Sequence, residues 1–215
     1  MARNKHPEVT VERILDAAQR LFLQKGYENT TIQDIVNELG GLTKGAVYHH
    51  FKSKEEIMDA VGYKMFQDGN PFEKVRGRTD LNGLEKMKEV FRLTQEPEWS
   101  SLSRQGLPLL KNPQMLAKNV EDNQKIVVPL WLELIEEGMA DGSIRTEYPK
   151  EVAELLVLLD TLWMPPTIFP VDREGFLRKF RCAGEIAAHL GVPFIDDEML
   201  ELADRYFQML PPEIS

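Results

Sequence analysis

The stretch Leu42-Thr43-Lys44-Gly45-Ala46-Val47-Tyr48-His49-His50-Phe51-Lys52-Ser53-Lys54-Glu55-Glu56-Ile57 holds two helix starts. Thr43 is an N-cap residue type, and Ser53 followed three residues later by Glu56 has capping-box spacing. Between them runs a short helix ending at Phe51. On a wheel of 100° per residue, Val47 and Phe51 set its core direction. Gly45 and His49 then point almost directly away, with Lys44 and Tyr48 on one flank and Ala46 on the other. A solvated helix face is usually rich in Lys and Glu. One built of glycine, alanine, tyrosine and histidine suits a helix pressed into a groove: the small residues allow close approach, and the long ones reach bases and phosphates. Thr43 and the free N–H groups of the first turn can also take a phosphate oxygen. The competing reading packs Tyr48 and the histidines on neighbouring helices. His49 and His50, being adjacent, cannot share one metal ion from a single helix face, and no metal site is expected.

Upstream, a first helix is expected from Val9 or Thr10 to Lys25, with Ile14, Leu15, Ala18, Leu21 and Phe22 at three-to-four spacing and Gly26 as its C-cap. A second opens at Thr31, with Asp34 in the place of a capping-box partner, and buries Ile32, Ile35, Val36 and Leu39. Gly40-Gly41 breaks it. Downstream, the helix from Ser53 to about Phe66 turns Ile57, Val61, Met65 and Phe66 inward. Short helices with a glycine-bearing turn between the second and third make a helix-turn-helix.

The chain has 215 residues and a net charge of −9. Residues 1–54 hold eight Lys/Arg against six acids, a balance of +2, which leaves −11 for the rest. Only Pro7 precedes residue 71, and the other twelve prolines follow. Gln67 to Phe72 and Arg76 to Asp80 read as loop. The expected division is a DNA-binding head at 1–54, a connecting helix at 53–66, and a larger helical domain at 67–215. Strand alternation is absent, so the chain is expected to be all-α, with nine or ten helices. Met115–Ala140 reads as one long helix in which Pro129 makes a kink or marks a new first turn. The apolar helix from Pro149 to Met164, the amphipathic Arg173–Leu190 and a final helix capped by Asp196 follow. A single cysteine, Cys182, excludes an intrachain disulfide framework. The longest aliphatic run, Leu155 to Leu159, is too short to span a bilayer, and the basic N-terminus lacks the apolar stretch of a secretory signal. A cytoplasmic protein without a membrane partner is expected.

Thr30-Thr-Ile-Gln-Asp-Ile35, the Gly26-Tyr27 turn and the stretch from Leu42 to Ile57 together resemble the DNA-binding domain of the tetracycline-repressor (TetR) family, over about residues 10–60. The resemblance implies that Thr43, Lys44, Gly45, Tyr48 and His49 face the major groove or its phosphate edge, with Ala46 beside them. It also implies that Tyr48 and Lys54 hold the DNA backbone and that Thr31 opens the helix straddling it. A cation at the start of the fourth helix works against the local dipole unless an anion is near, which fits Lys54 in that role. Gly40-Gly41 is one residue longer than the commonest family turn.

So short a reading helix needs a second copy, hence a homodimer on a palindromic operator of double-stranded DNA. Residues 152–164 are apolar over more than one face. With 173–190 they are expected to form a four-helix bundle across a two-fold axis through Leu155, Leu159, Leu162, Phe176, Phe180, Ala183 and Ala187. Met87, Phe91, Trp99, Met115, Trp131 and Trp163 supply aromatic and methionine surface for an unknown apolar or amphipathic effector, whose binding would release the operator. Ordinary core is the alternative for each of them. Asp160 reads either as an interface hydrogen-bonding group or as a polar handle for a ligand. No phosphate loop, zinc motif or nucleophile–base pair suggests an enzyme or a cofactor. A helical interaction protein without DNA binding is the remaining alternative.

Overall fold

The caps form where local chemistry places them. Thr31 Oγ1 accepts from the Asp34 N–H at 3.1 Å, while Asp34 Oδ2 accepts from the Thr31 N–H at 2.8 Å, closing the reciprocal box. Helix α2 (Ile32–Leu39) follows and buries Ile32, Ile35, Val36 and Leu39. Before it lies α1 (Pro7–Lys25), which begins upstream of the expected start and carries Thr10 as a buried helical residue. After it come α3 (Lys44–His50) and α4 (Lys54–Gly69). At the start of α4, Ser53 Oγ accepts from the Glu56 N–H at 3.2 Å, and Glu56 reaches back to the N–H of Lys52 at 2.6 Å. The box is thus displaced by one residue. Ile14, Phe22, Ile35, Val47, Ile57 and Val61 are fully enclosed, while Met65 and Phe66 are half-buried.

The structure is a computed structural model describing residues 7–211, so Arg3 and Lys5, counted in the head's charge, lie outside the described residues. The chain divides into two units. The first holds residues up to Asn70 together with Ser101–Gly106, and the second holds Pro71–Ser100 and the chain from Leu107 on. The connecting helix therefore belongs with the head.

The second unit is helical throughout its described residues: α5 (Pro71–Arg76), α6 (Gly83–Thr94), the first turn of α7 (Pro97–Gly106), a 3-10 segment (Leu107–Lys111), α8 (Pro113–Asp122), α9 (Val128–Asp141), α10 (Pro149–Leu158), α11 (Arg173–His189) and α12 (Asp197–Gln208). Counting 113–141 as one helix and setting short α5 aside leaves the ten of an all-α chain. Pro71 does not break the chain but opens α5, whose Phe72 and Val75 are buried. Pro129 lies in the first turn of α9, which a π-turn at Asn123–Val127 joins to α8, and a second π-turn at Leu159–Trp163 extends α10. These turns are joined, Asn123 Nδ2 donating to Thr161 Oγ1 at 2.9 Å. No helix among the described residues is long and apolar enough to cross a membrane.

Amphipathic α11 spends its apolar face inside the chain. Phe176 and Phe180 are buried with Leu107, Met199, Ala203, Phe207 and Leu210, and Ala183 and Ala187 are enclosed as well. Phe176 and Phe180 thus lie in a core that α12 helps to form, and all four of these expected interface residues are buried within the single chain. Of the expected interface residues, Leu155, Leu159 and Leu162 remain half-buried, and Leu158 beside them is 46 % exposed. On the outer face of α11, Cys182 and Ile186 are exposed.

Candidate nucleic-acid interface

Helix α3 is anchored by one side chain. Val47 is fully buried, and Phe51, half-buried, leaves helical geometry while its N–H still donates to the Val47 carbonyl at 3.0 Å. Thr43 Oγ1 accepts from the Ala46 N–H at 3.2 Å, which fixes the first turn. With the helix pinned from one side, Thr43, Lys44, Gly45, Tyr48 and His49 are exposed together, and Ala46 is half-exposed. His49 meets His50 edge-on, with ring centroids 5.2 Å apart. The approach from α2 runs through Gly40 at φ 51° and Gly41 at φ 90°. A Cβ at either would meet nothing within 4 Å, so the glycines serve the left-handed backbone and not a tight contact. Thr31, at the mouth of α2, is exposed at the same time as it caps.

Charge separates this face from the rest of the head. Arg13 donates to the Leu39 carbonyl at 3.1 Å, Arg20 pairs with Glu38, Lys25 with Asp34 and Lys64 with Asp16 and Asp68. The hydrogen bond from Lys25, then that from Thr31, holds the Asp34 carboxyl well below its ordinary range. Among the described residues 7–70, Lys44 and Lys52 are the basic side chains left without such a partner. They sit at the two ends of α3. Both are exposed, and neither is neutralised by the protein.

Lys54 is accounted for differently from the expectation. Its ammonium donates to the Tyr27 carbonyl at 2.8 Å and stands 4.0 Å from the centroid of the Tyr27 ring. The acceptor that relieves its conflict with the helix dipole is therefore inside the head, 27 residues back in sequence. Burial, and then the charge of Glu55, push the Tyr27 phenol above its ordinary value. The backbone N–H of Tyr27 donates to Gln105 Oε1 at 2.8 Å. Gln105 gave no signal in the sequence, because nothing local marks a glutamine that caps a turn some 78 residues away.

The six expected effector residues do not form one wall. Met87 is fully buried. Phe91 stacks on Phe180 at 5.5 Å, and Trp131 packs between Phe72 and Phe194. Trp163 presents its carbonyl to Lys179 Nζ at 3.0 Å. Trp99 and Met115 are half-buried. An open recess of about 820 Å³ lies elsewhere, between Arg76–Asn82 and Glu137–Asp141, and is lined by none of the six. Among the described residues, no group of three His, Cys, Asp or Glu is placed to hold a metal ion.

The model of bacterial regulatory proteins of the tetR family matches residues 14–61, the segment from the core of α1 into α4. Residues 14–61 therefore belong to the tetR family of bacterial regulatory proteins. The chain is a DNA-binding helix-turn-helix transcriptional regulator and not an enzyme. The HTH-type transcriptional repressor KstR2 of Mycolicibacterium smegmatis is 26 % identical over 167 residues, covering 71 % of this chain and 76 % of the relative. A transcriptional regulator from Cytophaga hutchinsonii shares the fold at a TM-score of 0.61 and 20 % identity, over 94 % of both chains. RolR, solved in complex with resorcinol, does so at a TM-score of 0.58 and 20 % identity, over 99 % of this chain and all of RolR.

Proposed function

We propose that this TetR-family regulator is a homodimeric repressor that places one α3 from each protomer in successive major grooves, about 34–36 Å apart or a multiple of that. The observation that carries the reading is the pair of unneutralised cations, Lys44 and Lys52, bracketing an exposed face of Thr43, Gly45, Ala46, Tyr48 and His49. Free ammonium groups gain most by displacing condensed counterions from phosphate, while the small residues let the helix backbone approach the base edges. Thr31 supports the backbone contact from α2. Lys54 acts by fixing the start of α4, with its remaining N–H groups available to a phosphate.

Dimerisation is supported by the outward side of α10, where Leu158 stands among Leu155, Leu159 and Leu162, and by the exposed Cys182 and Ile186 on α11. The second unit holds the effector, a small apolar or amphipathic molecule, and RolR with its bound resorcinol supports that role. Effector and operator are then linked: whatever factor one takes from the affinity of the other is returned in full. The protein works in the cytoplasm, where operator DNA is.

Selection of bound sites from random duplex DNA tests this reading. A two-fold symmetric consensus with half-sites one helical turn or a whole multiple of it apart is expected. Recovery of no enriched sequence, or of a single asymmetric half-site, overturns it.

A further inference from the structure

Opposite charges four residues apart on a helix face each other across one turn and pair readily. On the described helices of the second unit they pair at Lys118–Asp122, Glu121–Lys125, Lys150–Glu154, Glu174–Arg178 and Glu201–Arg205. Arg181 and Glu185 share that spacing on α11, yet they are not joined, and neither side chain has another partner in the chain. The order of the charges does not explain it, since Lys118 and Lys150 also precede their acids.

The other charged groups of α11 are engaged. Arg173 clasps Asp204, Arg178 pairs with Glu174, and Lys179 donates to the carbonyls of Trp163 and Phe169. His189 Nδ1 meets the Glu185 carbonyl at 2.8 Å and leaves the Glu185 carboxylate free. Phe176, Phe180, Ala183, Gly184 and Ala187 occupy the inner face. On the outer face, at 100° per residue, Arg181 and Glu185 stand about 40° apart, beside exposed Cys182 and Ile186. A free cation and a free anion one turn apart make this face complementary to itself. About a two-fold axis residue i meets j and j meets i, so an antiparallel copy of α11 offers a carboxylate to Arg181 and a guanidinium to Glu185. The axial offset of the two residues, about 6 Å, recurs in reverse order in that copy, and helix axes about 8–10 Å apart keep both pairs within side-chain reach. A parallel copy in register would set like charge against like.

We propose that Arg181 and Glu185 select the partner of α11: Arg181 pairs with the partner's Glu185, and Glu185 with the partner's Arg181, in a second, antiparallel copy of this chain. The inference rests on the homodimer reading and names the residues that let the dimer discriminate against other chains. Ion pairs at an interface serve that purpose, since they contribute more to specificity and encounter rate than to raw affinity.

Full chains carrying donor and acceptor fluorophores at the N-terminus, which spares Cys182, are mixed at falling concentration, and energy transfer reads the dimer. Arg181→Glu and Glu185→Arg each set like charges together across the axis and should weaken the homodimer at least tenfold at low salt, and less at high salt. Mixed, the two variants offer two carboxylates to two guanidiniums, and the heterodimer should exceed either homodimer at least tenfold. The double variant Arg181→Glu with Glu185→Arg restores both pairs with their signs exchanged and should dimerise within about threefold of the unsubstituted chain. Unchanged homodimers in both single variants, or a mixture that assorts at random, overturns the pairing and retains the homodimer. Weakening that neither the mixture nor the double variant restores also overturns the pairing, because the charges then act within one chain. An unsubstituted chain that stays monomeric at tens of micromolar overturns the homodimer reading itself, and the pairing with it.

Discussion

In the second unit, Arg76 clasps Glu133 through two nitrogens at 2.9 and 2.8 Å, Arg92 clasps Glu198 at 2.6 Å, Arg173 clasps Asp204 at 2.6 Å, and Lys86, itself buried, is paired with Glu137. In the head, the exposed side chains of Lys44 and Lys52 have no acidic partner in the protein. The difference is not one of composition, since both units contain acids that could have been placed beside them. Lys111, Arg145 and Arg181 of the second unit also lack an acidic partner, but they stand on separate segments, whereas Lys44 and Lys52 bracket one helix. The acidic second unit thus limits nonspecific adhesion, while the head concentrates its free charge along one helix.

The largest effect should come from closing that difference. Lys44→Ala with Lys52→Ala removes four cations from a dimer. The slope of log affinity against log salt should flatten by roughly 3.6, at about 0.9 per lost contact, and affinity at moderate salt should fall about a hundredfold or more. Fluorescence anisotropy with the selected operator at several salt concentrations measures both. Thermal stability should stay within about 0.5 kcal/mol, as for exposed sites without partners. A variant that binds with unchanged salt dependence would show that these lysines are merely solvated.

Acid should separate the units next. Bonds to Arg76, Arg92 and Arg173 depress the carboxyls of Glu133, Glu198 and Asp204, and Arg78 holds Asp80 at about 2. In the head, the depressed carboxyls are those of Asp34, through Lys25 and then Thr31, and Glu55, through its own N–H and then Ser53. A carboxyl depressed by folding contributes stability that is complete above its unfolded value near 4 and is lost as pH falls toward the folded one. The loss should therefore run from about pH 5 down to pH 2 and fall more heavily on the second unit. Trp99, Trp131 and Trp163 all lie there, so their emission should shift at a higher pH than the one at which α1–α3 peptides lose hydrogen-exchange protection. The reverse order would contradict the contrast.

Gln105→Ala should cost about 1–2 kcal/mol, since it leaves the N–H of nearly enclosed Tyr27 without its acceptor. The loss belongs to the head even though residue 105 is remote in sequence. Chemical denaturation followed by exchange at Tyr27–Thr30 detects it, and protection there that matches the unsubstituted chain would place the contact outside the head's cooperative unit.

What could be read in advance follows the range of the interaction. The cap of α2 at Thr31, its four buried residues and the cap of α3 at Thr43 depend on neighbours within one or two turns, and each forms as its spacing dictates. The exposed face of α3 follows from the same periodicity. For Lys54 the dipole argument requires an anion or acceptor without saying where, and Tyr27 supplies one from the α1–α2 turn. The stripe of Phe176, Phe180, Ala183 and Ala187 shows that something covers it, and whether that is α12 or a second protomer is a tertiary fact. The π-turns are hidden for the same reason: Asn123 and Thr161 find each other only after folding. Pro71 was read as a breaker because proline both ends and begins helices, and the burial of Phe72 and Val75 decides between them.

The smallest predicted effect tests whether internal pairing in the second unit matters to function at all. Arg173 and Asp204 form two bonds of 2.6 Å, but their side chains are 57 % and 23 % exposed. Water therefore screens much of the attraction, and the pair should contribute no more than about 1 kcal/mol. The two partners are not equivalent. Arg173 opens α11, where a cation faces the positive end of the helix dipole, and Asp204 answers that conflict as well as the charge. Arg173→Ala removes both the bond and the conflict and should be nearly neutral. Asp204→Ala removes the bond and leaves the conflict, and should be the more destabilising of the two. A double-mutant cycle by denaturant titration measures the coupling, and operator affinity should be unchanged in every variant. Equal costs for the two substitutions would show that the dipole plays no part, and a fall in operator affinity with Arg173→Ala would break the division between cations that hold the fold and cations that hold DNA.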